Sequence, residues 1–161
     1  MLNEIIEKVG VDETVDISEL SDLAAQKECC EKMIDTLFSE ERRLQTCFIN
    51  SQTIHDIIDS SEKIRSDMGE YVGYHYGSIN VSMDTVTVAL FNLRKFAAGD
   101  LDNIDHGARG MYISIWFNMA ISSIMTIDLS ANNLEELESE IIKKTIDEHG
   151  ENLILTRGMI H

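Results

Sequence analysis

Apolar residues recur along this chain in alternating steps of three and four, the spacing of one face of an α-helix. From Leu20 the series runs through Leu23, Lys27, Cys30, Ile34, Leu37, Glu41, Leu44 and Phe48, and it predicts a long amphipathic helix over about 17–48. Asp16, with Glu19 three residues on and Val15 and Leu20 on either side, has the pattern of a capping box with a hydrophobic staple at the start of that helix. A second series, Ile54, Ile57, Ser61, Ile64, Met68, Tyr71 and His75, is out of phase with the first. The shift falls at "NSQT", residues 50–53, where Asn50 or Ser51 can cap a new helix. An antiparallel hairpin is therefore expected, with Leu37 and Leu44 near Ile57 and Ile64.

Gly73 and Gly77 loosen the end of the second series, and "GSIN" predicts a loop. Ser82 can cap a third long helix with Met83, Val86, Leu90, Leu93 and Ala97 on one face. Lys95 suits its C-terminal end, and Gly99 suits the position just past it. "DLDNIDHGARG" is a polar loop. Next comes "GMYISIWFNMAISSIMTI", residues 110–127, without a charge, predicting a helix over about 108–127. Asn133 and Glu136 form another capping box, for a last helix carrying Leu134, Leu137, Ile141, Ile142 and Ile146, with Gly150 beyond it. A short helix is expected over 2–9 and a tail over 151–161. The sum is an all-α fold: a single domain, residues 1–161, with five to six helices bundled around one buried apolar helix.

The uncharged stretch is close to the minimum length of a membrane span. It contains Ser114, Asn118, Ser122, Ser123 and Thr126, and its flanks lack the clustered Lys and Arg that orient a span. A central helix buried on most of its circumference is the better expectation.

Charge changes the picture more than composition does. The formal net charge is −16, which repels nucleic acid phosphates and anionic lipid and attracts basic surfaces. Cys29, Cys30 and Cys47 include an adjacent pair and form no C-x-x-C, so free thiols in a reducing compartment are expected. The first twenty residues are acidic, without the apolar core of a leader, so no signal peptide is expected and the location is expected to be cytoplasmic.

Several residue groups have the spacing or composition of chemical sites. Glu28-x-x-Glu31 and Asp56-x-x-Asp59 put carboxylates one helical turn apart, as a hard cation requires. The pairs resemble the acidic motif of all-α nucleoside triphosphate pyrophosphohydrolases of the MazG and dimeric dUTPase type. That resemblance implies Mg²⁺ held between consecutive helices and bound to substrate phosphates, with Glu28, Glu31, Asp56 and Asp59 as ligands. Asp56 and Asp59 nevertheless lie on the side away from Ile54, Ile57 and Ile64, and the uncharged helix lacks the further acid which that family places there. Asp100, Asp102 and Asp105 fail the EF-hand spacing, since its sixth position would be Asp105 and its twelfth Met111. No two of His55, His75, His106, His149 and His161 have the i, i+3 or i+4 spacing of a helical ligand pair. "YVGYHYG" gathers Tyr71, Tyr74 and Tyr76 beside two glycines, a composition found at binding surfaces.

The leading expectation is an acidic, intracellular protein-interaction module that regulates or inhibits a target with a basic surface, such as a nucleic-acid-binding protein. Glu135, Glu136, Glu138 and Tyr74 are its expected contact residues. No catalytic residue, metal or cofactor is assigned, and no direct contact with nucleic acid or membrane. Homo-oligomerisation is expected. The alternative is the Mg²⁺-dependent pyrophosphohydrolase.

Overall fold

Three long helices stand where five or six were expected. The computed structural model describes residues 15–20 and 22–149, in which α1 spans Leu23–Asp59, α2 spans Glu62–Ala97 and α3 spans His106–His149, and the described residues contain no strand. The expected helix over 2–9 and the tail over 151–161 lie outside the described residues.

The helices are long because each carries one unbroken seam of inward positions. On α1 these are Gln26, Cys30, Met33, Leu37, Leu44, Ser51, Ile54 and Ile58, in register through the positions of Glu40 and Cys47. The series through Lys27, Ile34, Glu41 and Phe48 is one residue off this seam, and that offset made "NSQT" look like a break. The expected hairpin is absent: Leu37, Leu44 and Ile57 lie on the same helix. Ser51 is 1% exposed, and its hydroxyl donates to the Phe48 carbonyl at 2.7 Å. A serine bonded to the preceding turn can occupy a core position without leaving a polar group unpaired.

The same thing happens at "GSIN". Behind its cap Ser61, the seam of α2 runs through Ile64, Met68, Val72, His75, Ile79, Ser82, Val86, Ala89 and Leu93, straight across the expected loop. The seam of α3 runs through Ile113, Phe117, Ala120, Ile124, Ile127, Leu134 and Ile141, so Asn133 and Glu136 lie inside a helix instead of starting one. No proline stands anywhere in the chain to interrupt these runs.

Gly73 and Gly77 are therefore interior helix positions, and a Cβ built on either meets nothing within 4 Å. Gly73→Ala and Gly77→Ala should each raise stability by roughly 0.5–1 kcal/mol, because alanine restricts the unfolded chain and suits the helix better. Urea unfolding checks this, and an unchanged midpoint for both would argue that α2 is interrupted there.

The real ends have real caps. The Asp22 carboxylate accepts from the Ala24 N–H at 3.0 Å, the Ser61 hydroxyl from Ile64 at 3.3 Å, and the Asp105 carboxylate from Gly107 and Ala108 at 3.0 and 3.2 Å. Asp16, expected to cap the first helix, instead accepts from the Ser18 N–H at 2.9 Å in a local turn, and α1 begins only at Leu23. Gly99 closes α2 as expected. Its φ is 112°, the Gly99 N–H reaches the Phe96 carbonyl and the Asp100 N–H reaches that of Lys95, the paired bonds of a Schellman end.

The chain divides into two units, each taking a part of all three helices. The first comprises Met1–Leu44 and Ser82–Met125. Its core includes Val15, Ile17, Met33, Leu37, Leu93, Ile113 and Phe117. The Cys30 thiol there donates to the Leu93 carbonyl at 3.2 Å, and burial pushes its pKa up to about 12, so it behaves as a small core residue. The second unit comprises Gln45–Val81 and Thr126–His161, with Ile54, Ile58, Ile64, Met68, Val72, Ile79, Ile127 and Leu134 at its centre.

The apolar helix is not buried on most of its circumference. Ile113, Phe117, Ala120 and Ile124 face the core, while Met111, Tyr112, Ile115, Met119 and Met125 are exposed. Three long helices have too few neighbours to enclose a fourth side. By length and composition, His106–Lys144 could cross a membrane, a test that a core helix also passes, and 44% of its most apolar window is already buried against the protein.

Candidate functional site

The two acidic pairs of the pyrophosphohydrolase resemblance both stand on α1. Glu28 is exposed and pairs with Lys32 at 3.3 Å, and Glu31 is exposed on the same turn. Asp56 and Asp59 are also exposed, with the His55 Nδ1 at 3.8 and 3.7 Å from them. Among the described residues, no three His, Cys, Asp or Glu side chains come together closely enough to hold a metal ion. The acids of the inter-helix loop have structural partners: Asp102 pairs with Lys27 at 2.8 Å, Asp100 with Lys95 at 3.6 Å, and Asp105 caps α3.

In the second unit, Glu135 and Glu136 are exposed and Glu138 is half-buried. Tyr74 is 69% exposed, with its ring edge-on to His75 at 5.2 Å. His75 itself is buried, and its Nδ1 lies 3.1 Å from the Ser130 hydroxyl, which is buried too. Burial lowers the His75 pKa, favouring the neutral ring that this contact requires. Both groups are closed to solvent, so the pair ties α2 to α3 and leaves no room for a substrate. Tyr71 packs edge-on against the same imidazole at 4.6 Å, and Tyr76 stacks on His55 at 4.6 Å. The tyrosine cluster thus packs around the two imidazoles, with Tyr71 and Tyr74 its exposed members.

The most elaborate side-chain arrangement was not foreseen. In the first unit, Gly110, Ser114 and Asn118 recur every four residues along α3 and form a seat for residues 15–18. The Asn118 amide grips the backbone of Val15 from both sides, its oxygen accepting from the Val15 N–H at 2.9 Å and its nitrogen donating to the Val15 carbonyl at 2.7 Å. The Ser114 hydroxyl accepts from the Ile17 N–H at 2.8 Å and donates to the Gly110 carbonyl at 2.7 Å. A Cβ on Gly110 would stand 2.6 Å from the Ile17 carbonyl oxygen. Val15 and Ile17 are 0% and 1% exposed.

Beside this seat, Arg109 is buried. Its Nε donates to the Gln26 oxygen at 2.5 Å, and its Nη1 faces the carbonyls of Leu101, Asp102 and Ile104 at 3.5, 3.4 and 3.0 Å. The Gln26 nitrogen donates to the carbonyls of Leu20 and His106 at 2.6 and 2.7 Å. Both arrangements serve the fold, since they hold the chain's own segments together.

Among the described residues, the scattered carboxylates and the uncharged outer face of α3 are two of the surfaces open to other molecules. No family model, curated protein or solved structure matches the chain, so any reading of its function rests on these surfaces.

Proposed function

We propose that this chain is an acidic protein-interaction module whose target carries a basic surface. The supporting observation is the way the carboxylates are displayed. Glu28, Glu31, Asp56, Asp59, Glu135 and Glu136 all point outward, spread over α1 and α3. Hydrolytic metal chemistry needs carboxylates that converge, whereas long-range attraction needs only that they face water. A charge of −16 on 161 residues makes that attraction strong at low salt. The target is a protein, because the same charge repels a phosphate backbone.

The test uses an immobilised lysine-rich basic protein as probe and duplex DNA as the contrasting one. Association with the basic protein should slow steeply as salt rises, while the folded chain is unaffected. Replacing Glu135, Glu136 and Glu138 together by Gln should slow association about three- to tenfold, the direction expected for charges that steer the encounter. Replacing the exposed Glu135 and Glu136 alone should change stability by no more than about 0.5 kcal/mol, as for ordinary surface positions. Tight capture of duplex DNA by the wild type would overturn the reading. So would Mg²⁺-dependent nucleotide hydrolysis that Glu28→Gln with Glu31→Gln abolishes without unfolding the chain, a result that selects the pyrophosphohydrolase instead.

A further inference from the structure

Residues 15–18 lie along α3 as a strap, and the strap fixes a direction. Val15 bonds to Asn118, Ile17 bonds to Ser114, and Ser18 lies against Gly110, so this segment runs antiparallel to the helix. The steps of the two match. Two residues of extended chain advance about 6.6 Å, and four residues of helix about 6 Å. Every second N–H of the strap therefore meets every fourth residue of α3. One step ahead of Val15 and Asn118 stand Glu13 and Ser122. We infer that residues 11–14 dock on α3 as a continuation of the strap, with the Ser122 hydroxyl accepting from the Glu13 N–H.

The seat does not stop at Asn118. Gly110 and Ser114 are buried, Asn118 is half-buried, and Ser122, one further step of four along, is exposed. There the surface sinks into a shallow depression of about 550 Å³, lined by Thr85, Ile115, Asn118, Met119, Ser122 and Ser123. Asn118 belongs to both, so the depression continues the seat in the direction from which the chain enters it. The bond proposed for Ser122 repeats that of Ser114, whose hydroxyl gives its proton to the Gly110 carbonyl and accepts from the Ile17 N–H. A serine hydroxyl has one proton and two lone pairs, so Ser122 accepts an N–H whatever its own proton bonds to.

Sequence and tether select this occupant. Val9, Val11, Val15 and Ile17 alternate with Gly10, Asp12, Thr14, Asp16 and Ser18, the period of an extended segment with one apolar side, and Glu13 is its exception. The hydrogen bonds that Asn118 and Ser114 make to the strap all fall on backbone, so a glutamate at that step does not prevent the next one. Residues joined to Val15 reach Ser122 at an effective concentration on the order of millimolar, as a short linker gives, and a free partner has no such advantage. Charge opposes the contact. The exposed Asp84 stands beside Thr85, and Asp12 and Glu13 bring carboxylates to the same rim. Docking at Ser122 is therefore weaker than at Asn118, and it tightens as salt screens the repulsion. A basic partner responds to salt in the opposite sense. Once seated, residues 11–14 cover part of the outer face of α3 around Ile115 and Met119.

The test is amide hydrogen exchange in the full chain, resolved residue by residue by NMR. Corrected for sequence, the Glu13 N–H should exchange at least about tenfold more slowly than those of Asp12 and Thr14, which alternate away from α3, and faster than that of Val15. Its protection should grow as salt rises. Ser122→Ala should bring Glu13 to the rate of its neighbours and leave Val15 and Ile17 protected. Ser122→Thr keeps a hydroxyl and should keep the protection. Ser122 is exposed, so neither change threatens the fold. A wild-type Glu13 that exchanges like Asp12 and Thr14 would overturn the proposal, and so would protection that survives Ser122→Ala. Protection that appears only as the protein concentration rises would also overturn it, and would give the depression to a second copy instead.

Discussion

Replacing Gly110 by alanine is expected to unseat residues 15–18 from α3 and to destabilise the chain by roughly 1–3 kcal/mol. In most helices that change is favourable by about 1 kcal/mol, because alanine is the better helix former. Here the new methyl would lie 2.6 Å from the Ile17 carbonyl oxygen and 2.7 Å from the Ser18 Cα. Both are backbone atoms, so no side chain can swing aside, and the segment must move as a whole. Moving it exposes Val15 and Ile17, now 0% and 1% accessible. Burying two such side chains is worth roughly 1.5–3 kcal/mol each, offset in part by the entropy of ordering the segment at about 1–2 kcal/mol per residue. The sharpest readout is amide hydrogen exchange at Val15 and Ile17, whose N–H groups bond to Asn118 and Ser114. Protection at both should collapse in Gly110→Ala. It should persist in Gly107→Ala, where the closest atom to a new methyl is an Asp105 carboxylate oxygen at 3.1 Å on a surface side chain. Full protection in Gly110→Ala would mean that residues 15–18 do not rest on the glycine.

The helical class was legible because a seam repeating at three and four leaves an unmistakable trace. The number of helices was not, because the seams pass through polar residues. Ser51, His75, Ser82 and Ser130 are all buried, and Ser51 and Ser82 each read in isolation as a cap. Ser51 is satisfied by its own helix and His75 by Ser130, 55 residues away, and the sequence shows neither partner. The one true break between α1 and α2, at Ser60 and Ser61, was hidden by the opposite error, since Ser61 also fits the apolar series on which it was placed. Two adjacent serines ahead of Glu62, in the first turn of α2, were the signal that could have revealed it. The seat for Val15 and Ile17 left a fainter trace: Gly110, Ser114 and Asn118 at steps of four in an otherwise apolar run. Its meaning depends on a segment about a hundred residues earlier, and that pairing exists only in the fold.

The second large effect concerns Arg109 and Gln26, and it should appear as strong coupling between them. Arg109→Met is expected to cost about 1–3 kcal/mol, the range for leaving buried polar groups without their partner. Arg109 is 6% exposed, and its guanidinium holds the turn between α2 and α3 through the carbonyls of Leu101, Asp102 and Ile104. Methionine fills similar space and removes the guanidinium donor from those carbonyls and from the Gln26 oxygen, leaving the Leu101 carbonyl the Ile104 N–H at 3.3 Å. Gln26→Leu should be comparably damaging for a complementary reason. It removes the acceptor on Arg109 Nε at 2.5 Å and the donor shared by the carbonyls of Leu20 and His106. A buried cation would then keep its loop contacts but lose its strongest acceptor. With both changes made, much of this penalty disappears, since neither the stranded charge nor the stranded amide oxygen remains. The double variant should therefore lose clearly less than the sum of the singles, by roughly 1–3 kcal/mol, the coupling typical of groups in one hydrogen-bond network. Urea unfolding of the wild type, both single variants and the double variant measures it. Losses that simply add would show two independent sites. A loss below about 0.5 kcal/mol for Arg109→Met would place the guanidinium in water, as for an ordinary surface residue. The coupled outcome would identify Gln26 as the group that joins Leu20, the first turn of α3 and the turn before it into one cooperative piece of the first unit.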